Sequence, residues 1–241
     1  MTSQYDDNFN DNLLDPKWTK DVDTHVTLEE LNQEIYIRKD YAHNEYGHIE
    51  QACIHDLVTA IVKLKLGSTA DISRWSTSLV LYWGVDNWVQ IALRYNTTDP
   101  AKRYIYAYWN DASTVSNEKG SQGVSIGVYY WVKIALLSTE VKFYSSANGT
   151  SWNLIKTLTR PAGWSGAPAK FILGAGSSDN PDYPNPDFDN SKAGVSSVFL
   201  YVDEFTVQIY TPPKVVLNAG LATGIALTDF SASKGDTITV L

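Results

Sequence analysis

A single cysteine, Cys53, is present among the 241 residues, so the chain cannot form a disulfide within itself. Cys53 lies in an alternating apolar and polar run, which is typical of a small core residue. No stretch reaches the about 20 apolar residues that a membrane-spanning helix needs, so we expect no membrane partner. Residues 1–20 lack the basic start and apolar run of a secretory signal peptide, which predicts a protein made in the cytosol.

Positive charge is also scarce, because 19 Lys and Arg residues stand against 27 Asp and Glu, for a formal net charge of −8. Nucleic-acid binders usually carry clustered positive charge, so this balance argues against a nucleic-acid partner. Among the aromatic residues Phe is the rarest, with 7 Phe against 8 Trp and 15 Tyr. Trp and Tyr combine a large apolar face with a polar group, so their excess indicates a binding surface in addition to a packed core.

The stretch 129–159 contains three runs in which apolar and polar residues alternate. Val132, Ile134 and Leu136 mark the first run, and Val141 and Phe143 belong to the second. Period-two alternation places one set of side chains on each face of a strand. Short breaks rich in Ser, Asn, Gly and Thr separate the runs, as is typical of hairpins. This pattern predicts a three-stranded antiparallel meander with one buried face.

Similar strand-like runs occur along most of the chain, and there are few helix signals. They lie around 26–28, 35–37, 48–53, 57–66, 79–83, 88–95, 103–109, 170–175 and 197–209. Many strands at hairpin spacing predict an all-β fold, a two-sheet antiparallel sandwich.

The segments between these strands are predicted to be polar loops, at 67–77, 110–123 and 161–168. The Pro- and Asp-rich stretch 177–194 is the longest irregular segment, and loops of this length usually carry function or are disordered. Two prolines, Pro212 and Pro213, end the sandwich. We therefore expect a domain at 1–210 and a C-terminal extension at 211–241 that packs on the domain or on an assembly partner.

Four segments resemble the concanavalin A-like (laminin G-like) jelly rolls of bacterial and phage proteins. In order they are DDNFND with LDPKW at 6–18, WVKI at 131–134, YSSANGTSW at 144–152 and YVDEFTV at 201–207. The resemblance spans residues 5–210 and leaves out the C-terminal extension. It implies a jelly roll of a kind that is often a glycan-binding or adhesive module and sometimes a glycosidase.

The glycosidases of this superfold carry a Glu-x-Asp-x-x-Glu or Glu-x-Asp-x-Glu motif on a strand, and this chain has neither. Asp203 and Glu204 are adjacent, so they point to opposite faces of a strand. Glu45 and Glu50 are separated by an odd number of positions, with the same consequence. A retaining pair needs two carboxyl groups about 5–5.5 Å apart. We therefore expect no catalytic residues and no enzyme, although acids distant in sequence could still pair.

The predicted ligand-binding site is a row of aromatic residues. Tyr104, Tyr106 and Tyr108 share one face of a strand at steps of roughly 7 Å, and Trp88 and Arg94 share a face of the preceding strand. Sugar rings stack on such aromatic faces through their C–H groups, and phenol hydroxyls add hydrogen bonds. Two other interpretations stay open: cross-strand packing inside the sandwich, and a subunit interface.

No cofactor is expected to be required, but acidic residues suggest a calcium site, because hard oxygen ligands suit Ca²⁺. Asp6 and Asp7 near the first strand would meet Asp203 in the last, since these strands often pair in jelly rolls. A second acidic group lies in the long loop, at Asp179, Asp182, Asp187 and Asp189. Turn capping and solvated carboxylates are the alternative for both groups. The histidines within 43–55 match no zinc-binding spacing.

Together these features predict a non-catalytic surface protein of a phage virion: a capsid decoration, fibre or tail component with a lectin-like, glycan-binding jelly roll. A virion assembles in the host cytosol and meets the outside after lysis, which fits an extracellular type of fold with no secretion signal and no disulfide. Its partners would be other virion proteins or identical subunits, and a cell-surface glycan. The alternatives are a free extracellular carbohydrate-binding module or adhesin, and a glycoside hydrolase or lyase.

Overall fold

The computed structural model describes residues 3–24, 26–39, 46–67, 75–95, 103–112, 114–175 and 198–210. Within these ranges the chain forms fourteen strands and one short 3-10 turn, arranged as two antiparallel sheets. The predicted all-β, two-sheet antiparallel sandwich is therefore confirmed. No helix in the described ranges has the length and apolar character needed to cross a membrane.

Single strands and runs of consecutive strands are distributed between the two sheets. In chain order they are β1 (Thr19–Val22), β2 (Val26–Leu31), β3 (Glu34–Lys39), β4 (Gly47–Ala52), β5 (Val58–Leu66), β6 (Trp75–Gly84), β7 (Asn87–Tyr95), β8 (Tyr104–Asp111), β9 (Thr114–Gly123), β10 (Tyr129–Leu136), β11 (Glu140–Ser146), β12 (Asn153–Thr159), β13 (Lys170–Ala175) and β14 (Val198–Ile209). The 3-10 turn is at Ala162–Trp164. Sheet I has the order β1-β4-β13-β6-β7-β8-β9, and sheet II has the order β12-β11-β10-β5-β14-β3-β2.

The predicted meander corresponds to β10, β11 and β12, which form one edge of sheet II. The start of the chain joins the same sheet at β14. Backbone hydrogen bonds of 2.9 Å and 2.7 Å link Asp7 and Phe205 in both directions. The beginning and the end of the domain therefore meet, as expected from the sequence.

The sandwich core lies between the inner faces of the two sheets. In β5, alternate residues from Val58 to Leu66 are completely buried, whereas Lys63 and Lys65 point outward and stay partly exposed. Cys53 is buried within this core. The same alternation in the other inner strands, such as β10 and β11, gives each sheet an inner face toward the core and an outer face.

Two strands differ from the prediction, and both lie at the edges of sheet I. Most of the segment 110–123, predicted as a polar loop, forms β9, which pairs with β8. Its sequence TVSNEKGSQG is almost entirely polar, so no alternation marks it as a strand. The short strand β1 is also mostly exposed and was missed for the same reason. Edge strands are often polar because one side of their backbone faces solvent.

Three further predictions concern segments that the sequence assigned to loops or to the C-terminal extension. Trp75, predicted to lie in a loop, begins β6. The long loop 177–194 and the C-terminal extension 211–241 lie outside the described residues.

Candidate functional site

A second cluster of buried side chains lies on the outer face of sheet I, separate from the sandwich core. Directly paired residues of antiparallel strands share a face, and Val80 pairs with Gln90 on one side and Ile172 on the other. Gln90 in turn pairs with Tyr108. We call this group the outer cluster; its members are Val80, Tyr82, Trp88, Ala92, Tyr106, Tyr108 and Ile172.

All five residues of the predicted ligand-binding site lie on this outer face. Trp88, Tyr106 and Tyr108 belong to the outer cluster, and Tyr104 packs against it. The rings of Tyr106 and Tyr108 stack with their centroids 5.7 Å apart. The guanidinium carbon of Arg94 lies 5.2 Å from the Tyr106 ring centre, and its NH1 donates to the Tyr108 hydroxyl at 3.5 Å. The structure thus brings the aromatic row and Arg94 together outside the sandwich core.

The aromatic row is closely packed. Tyr106 is 7% exposed, Trp88 is 4% exposed and Tyr108 is 2% exposed. The row therefore forms the apolar floor of this face, and its role in ligand binding stays a prediction.

Polar side chains are interleaved with the aromatic row. The Gln90 side-chain NH₂ donates to Ser78 Oγ at 2.9 Å, and that hydroxyl donates to the Gly174 carbonyl at 3.3 Å. Asn110 donates to the Val85 carbonyl at 3.3 Å. The Oε1 of Gln90 and the Oδ1 of Asn110 are buried and accept no hydrogen bond from the described residues. An unsatisfied buried acceptor costs about 1–3 kcal/mol, so both oxygens would gain from a donor.

Toward the β1 edge, the same face carries a group of ionisable side chains that we call the carboxylate cluster: Asp21, Tyr46, His48, Glu50 and Lys170. The Nε2 of His48 lies 3.5 Å from Glu50 Oε2 and 3.8 Å from Asp21 Oδ2. Lys170 pairs with Glu50, and Tyr46 donates to Asp21 Oδ1 at 3.1 Å. The Tyr46 and His48 rings stack with centroids 5.4 Å apart.

The two carboxylates of the carboxylate cluster are partly exposed to solvent, whereas most of the aromatic row is buried. The Asp21 side chain is 49% exposed and that of Glu50 is 23% exposed. The two groups adjoin through β13, because the ammonium of Lys170 lies 5.2 Å from the ring centre of Tyr82 in the outer cluster. A ligand that reaches this face would therefore meet charged and aromatic groups side by side.

The hydrogen-bonding contact with His48, together with the Lys170 ammonium, outweighs burial and holds the pKa of Glu50 at about 2. Glu50 is therefore a carboxylate at neutral pH, which is the form that a nucleophile or a base requires. The sequence singled out Glu50 only as a possible partner of Glu45, which lies outside the described residues. Asp21 lies near Glu50 only through the pairing of β1 with β4, which no short motif records. His48 is two residues before Glu50 on the same strand, so period-two alternation is the signal that could have indicated it.

The carboxylates predicted as calcium ligands have other partners at the start of the chain. Asp6 Oδ1 accepts a hydrogen bond from the Val207 backbone at 2.8 Å. Asp7 Oδ2 accepts one from Trp18 Nε1 at 2.8 Å and lies 3.2 Å from the Lys17 ammonium. These contacts anchor the N-terminal segment to β14 and to the core.

The third predicted ligand, Asp203, points to the outer face of sheet II, where it pairs with Lys63 at 2.6 Å. The structure does not bring the three carboxylates together. Across the described ranges, no group of three or more His, Cys, Asp or Glu side chains could hold a metal ion. The acidic group predicted within 177–194 lies outside those ranges.

No protein-family model matches the sequence, and no curated protein matches it. Solved structures do match. A mutant of the GH43 protein BlXynB from Bacillus licheniformis has a TM-score of 0.61 and 17% identity, over 87% of this chain and 40% of that chain. The catalytic domain of an endo-1,3-beta-glucanase (laminarinase) from Thermotoga petrophila has a TM-score of 0.55 and 15% identity, over 86% and 96% of the two chains. The chain has a concanavalin A-like fold.

The exoplasmic/lumenal domain of VIP36, in its Ca2+/Man-bound form, shares this concanavalin A-like fold, with a TM-score of 0.53 and 12% identity over 83% and 86% of the two chains. The similar structures therefore include a Ca2+/Man-bound domain as well as glycoside hydrolases. Because the identities are low, the likeness shows the fold alone, and this chain spans 40% of the length of the GH43 protein.

The prediction that the chain is not an enzyme is corrected by these comparisons. Several similar structures are glycoside hydrolases, among them the GH43 protein and two laminarinases. The absence of the Glu-x-Asp motif of the glycosidases does not exclude catalysis, because two acids on different strands can lie on the same face of a sheet. Asp21 on β1 and Glu50 on β4 lie on one face in this way, because both approach the same His48 nitrogen, at 3.8 Å and 3.5 Å.

Proposed function

We propose that this chain recognises a glycan on the outer face of sheet I. The observation that carries the proposal is the carboxylate cluster, in which two partly exposed carboxylates, an ammonium and an aromatic ring lie beside the outer cluster. Sugars combine hydroxyl groups with apolar C–H faces, so they suit a surface that alternates charged hydrogen-bonding groups with aromatic rings. The glycan ligands or substrates of the similar structures support the same class of ligand.

The charged groups would act mainly by hydrogen bonding to sugar hydroxyls. Asp21 and Glu50 accept hydrogen bonds, and Lys170 donates them, so one sugar residue can satisfy both types of group. Hydrogen bonds to ionised groups contribute about 1.5–3 kcal/mol each, more than neutral ones. The buried acceptors on Gln90 and Asn110 would add positions for bridging water beneath the ligand.

The test is a glycan-array screen of the whole chain, followed by calorimetric titration of the best ligand against Asp21→Asn. We expect the substitution to weaken binding by about 10-fold, which corresponds to one lost charge-assisted hydrogen bond. Glu140→Gln is the matched control, because Glu140 is a carboxylate on sheet II that pairs with Lys142 at 2.8 Å. Equal affinity for Asp21→Asn and the unaltered chain would rule out the carboxylate cluster as the site.

We propose glycoside hydrolysis as a second candidate function of the same face. The specific observation is that Asp21 and Glu50 both approach the same imidazole nitrogen of His48, so two carboxyl groups from separate strands lie close together. Glycosidases use such a pair, one as acid and one as nucleophile or base. Release of reducing ends from a polysaccharide panel, abolished by Glu50→Gln, would support this activity. No turnover on any polysaccharide would remove it.

As the narrower setting, we propose a surface component of a phage virion: a capsid decoration, fibre or tail protein. The support is the sequence itself, with one cysteine and an extension at 211–241 rich in apolar and small residues. Light scattering of the chain with and without residues 212–241 tests the assembly role. A discrete oligomer that becomes a monomer on truncation supports it, and a monomer in both samples contradicts it.

Calcium stays a proposal as well, supported by the Ca2+/Man-bound form of VIP36. Calorimetric titration of the metal-free chain with Ca²⁺ would show it directly. Saturable binding that survives Asp203→Asn would place the ion away from the three carboxylates first predicted, because Asp203 is engaged with Lys63.

A further inference from the structure

The outer face of sheet II carries a different surface, in which lysines alternate with aromatic rings. On β5 and β10, Lys63 and Lys65 stand opposite Trp131 and Tyr129 across the strand pair, and all four side chains are half-buried. The Lys65 ammonium lies 4.3 Å from the Tyr129 ring centre, and the Lys63 ammonium lies 5.3 Å from that of Trp131. The alternation in 129–159 predicted the buried face of the meander, but it did not predict a binding surface on the opposite face.

Both lysines already form an ion pair with a carboxylate. The ammonium of Lys65 lies 3.1 Å from Glu34 Oε2, and that of Lys63 lies 2.6 Å from Asp203 Oδ2. Each cation therefore has an aromatic ring beside it and a carboxylate as its anionic partner. A third lysine on this face, Lys133, differs from them in one of these two contacts.

Lys133 has the aromatic rings but not the anion. Its ammonium lies 4.3 Å from the ring centre of Tyr144 and 4.1 Å from that of Trp152. No carboxylate of the described residues pairs with it, whereas Lys142, on the same face, pairs with Glu140. Partial burial between the rings lowers the pKa of Lys133, as expected for a cation that has lost water without gaining an anion.

We propose that Lys133, Tyr144 and Trp152 form a binding site for an anionic sugar residue, that is, a glycan ring that carries a carboxylate or a sulfate. An anion at Lys133 would supply the partner that Lys63 and Lys65 already have. The two rings hold the ammonium in place by cation–π attraction, so little side-chain freedom is lost when the anion binds. Both rings are half-exposed, which leaves ring surface for the C–H groups of the sugar.

The face is long enough for more than one sugar unit. Trp131 and Tyr129 precede Lys133 on β10 and lie on the same side of the strand, at steps of roughly 7 Å. Aromatic rings would therefore continue beyond the charged position, as an oligosaccharide requires. This site is on the opposite sheet from the glycan site proposed above, so the two proposals do not depend on each other.

The experiment measures binding of the whole chain to polygalacturonate and to its methyl-esterified form, which has the same sugar backbone without the negative charge. Dextran sulfate and dextran form the corresponding pair for sulfate. We expect binding to at least one charged polymer and much weaker binding to its neutral counterpart. Lys133→Gln should weaken the charged interaction by about 10-fold, and Lys133→Arg should restore most of it.

The matched control is Lys142→Gln, which removes a lysine from the same face but one that already has a carboxylate partner. It should leave the affinity unchanged, and thermal unfolding should confirm that all variants are folded. Equal affinity for charged and neutral polymers, unchanged affinity of Lys133→Gln, or no binding to any of the four polymers would each overturn the proposal. The glycan site on sheet I is tested with other ligands and variants, so either site can fail alone.

Discussion

Replacing Glu50 by glutamine keeps the shape of the side chain but removes the charge that His48 and Lys170 contact. The pKa of Glu50 is lowered from 4.5 to about 2, by the contact with His48 first and then by Lys170. For a pair fully removed from water, a shift of that size corresponds to roughly 3 kcal/mol. Because the Glu50 side chain is still partly exposed, solvent screening reduces this figure, and we expect about 1–2 kcal/mol.

The pH dependence follows from the direction of the shift. A carboxylate whose pKa is lower in the folded state stabilises the fold fully above its unfolded pKa. This contribution is lost as the pH falls from about 4.5 toward 2. Glu50→Gln should therefore be less stable than the unaltered chain at pH 7, and the difference should shrink by more than half at pH 3.

The assay is urea unfolding followed by tryptophan fluorescence at pH 7 and pH 3. Glu140→Gln serves as the control, because it removes a carboxylate of the same size that pairs with Lys142 on the outer face of sheet II, where both side chains are partly exposed. We expect little change in that variant at either pH. A stability difference for Glu50→Gln that is absent at pH 7, or equally large at both pH values, would refute the reasoning.

Three further predictions concern the core and the outer face of sheet I. Burial raises the pKa of Cys53 to about 11, so its thiol should react with Ellman's reagent at pH 8 at least about 10-fold more slowly in the native chain than in urea; equal rates would contradict this. Trp88→Ala and Tyr106→Ala should each weaken glycan binding, and binding that survives both in folded protein would exclude the aromatic row. Gly174→Ala should lower the free energy of unfolding by roughly 2–4 kcal/mol in urea titrations, because Gly174 has φ 142° and a Cβ there would lie 2.8 Å from the His48 Cα; an unchanged midpoint would contradict it.

The sandwich was largely predictable because its inner strands alternate strongly. β5, β10 and β11 carry apolar residues at every second position, and that pattern predicts which of their side chains enter the core. In β12 the pattern is wrong at Leu154, which is 55% exposed, whereas Ile155 packs against the core. The edge strands β1 and β9 were not predictable in this way. They are held by backbone hydrogen bonds to one neighbour, so their side chains need not alternate.

The candidate site was predictable only where it lies along one strand. The aromatic row at Tyr104, Tyr106 and Tyr108 follows from period two, and the structure places it on one face as expected. His48 and Glu50 also lie along one strand, β4, but Asp21 joins them only through the pairing of β1 with β4, which no sequence spacing records.

The predicted meeting of the three carboxylates depends on which face of β14 carries Asp203. Asp203 continues the alternation of Tyr201, so both side chains lie on the outer face of sheet II beside lysines of β5. The register shifts between Val202 and Phe205, and Phe205 is the residue that departs from the alternation. Asp203 pairs instead with Lys63 on β5. Pairing of the first and last segments was foreseen, but the position of Asp203 on the outer face of sheet II was not.

The central claim is that the outer face of sheet I recognises a glycan through the carboxylate cluster. The most direct measurement is calorimetric titration of the best array ligand against the unaltered chain, Asp21→Asn and Glu140→Gln. The account predicts saturable binding by the unaltered chain, about 10-fold weaker binding by Asp21→Asn and unchanged binding by Glu140→Gln. Absence of any glycan ligand, or equal affinity of all three proteins, would contradict it.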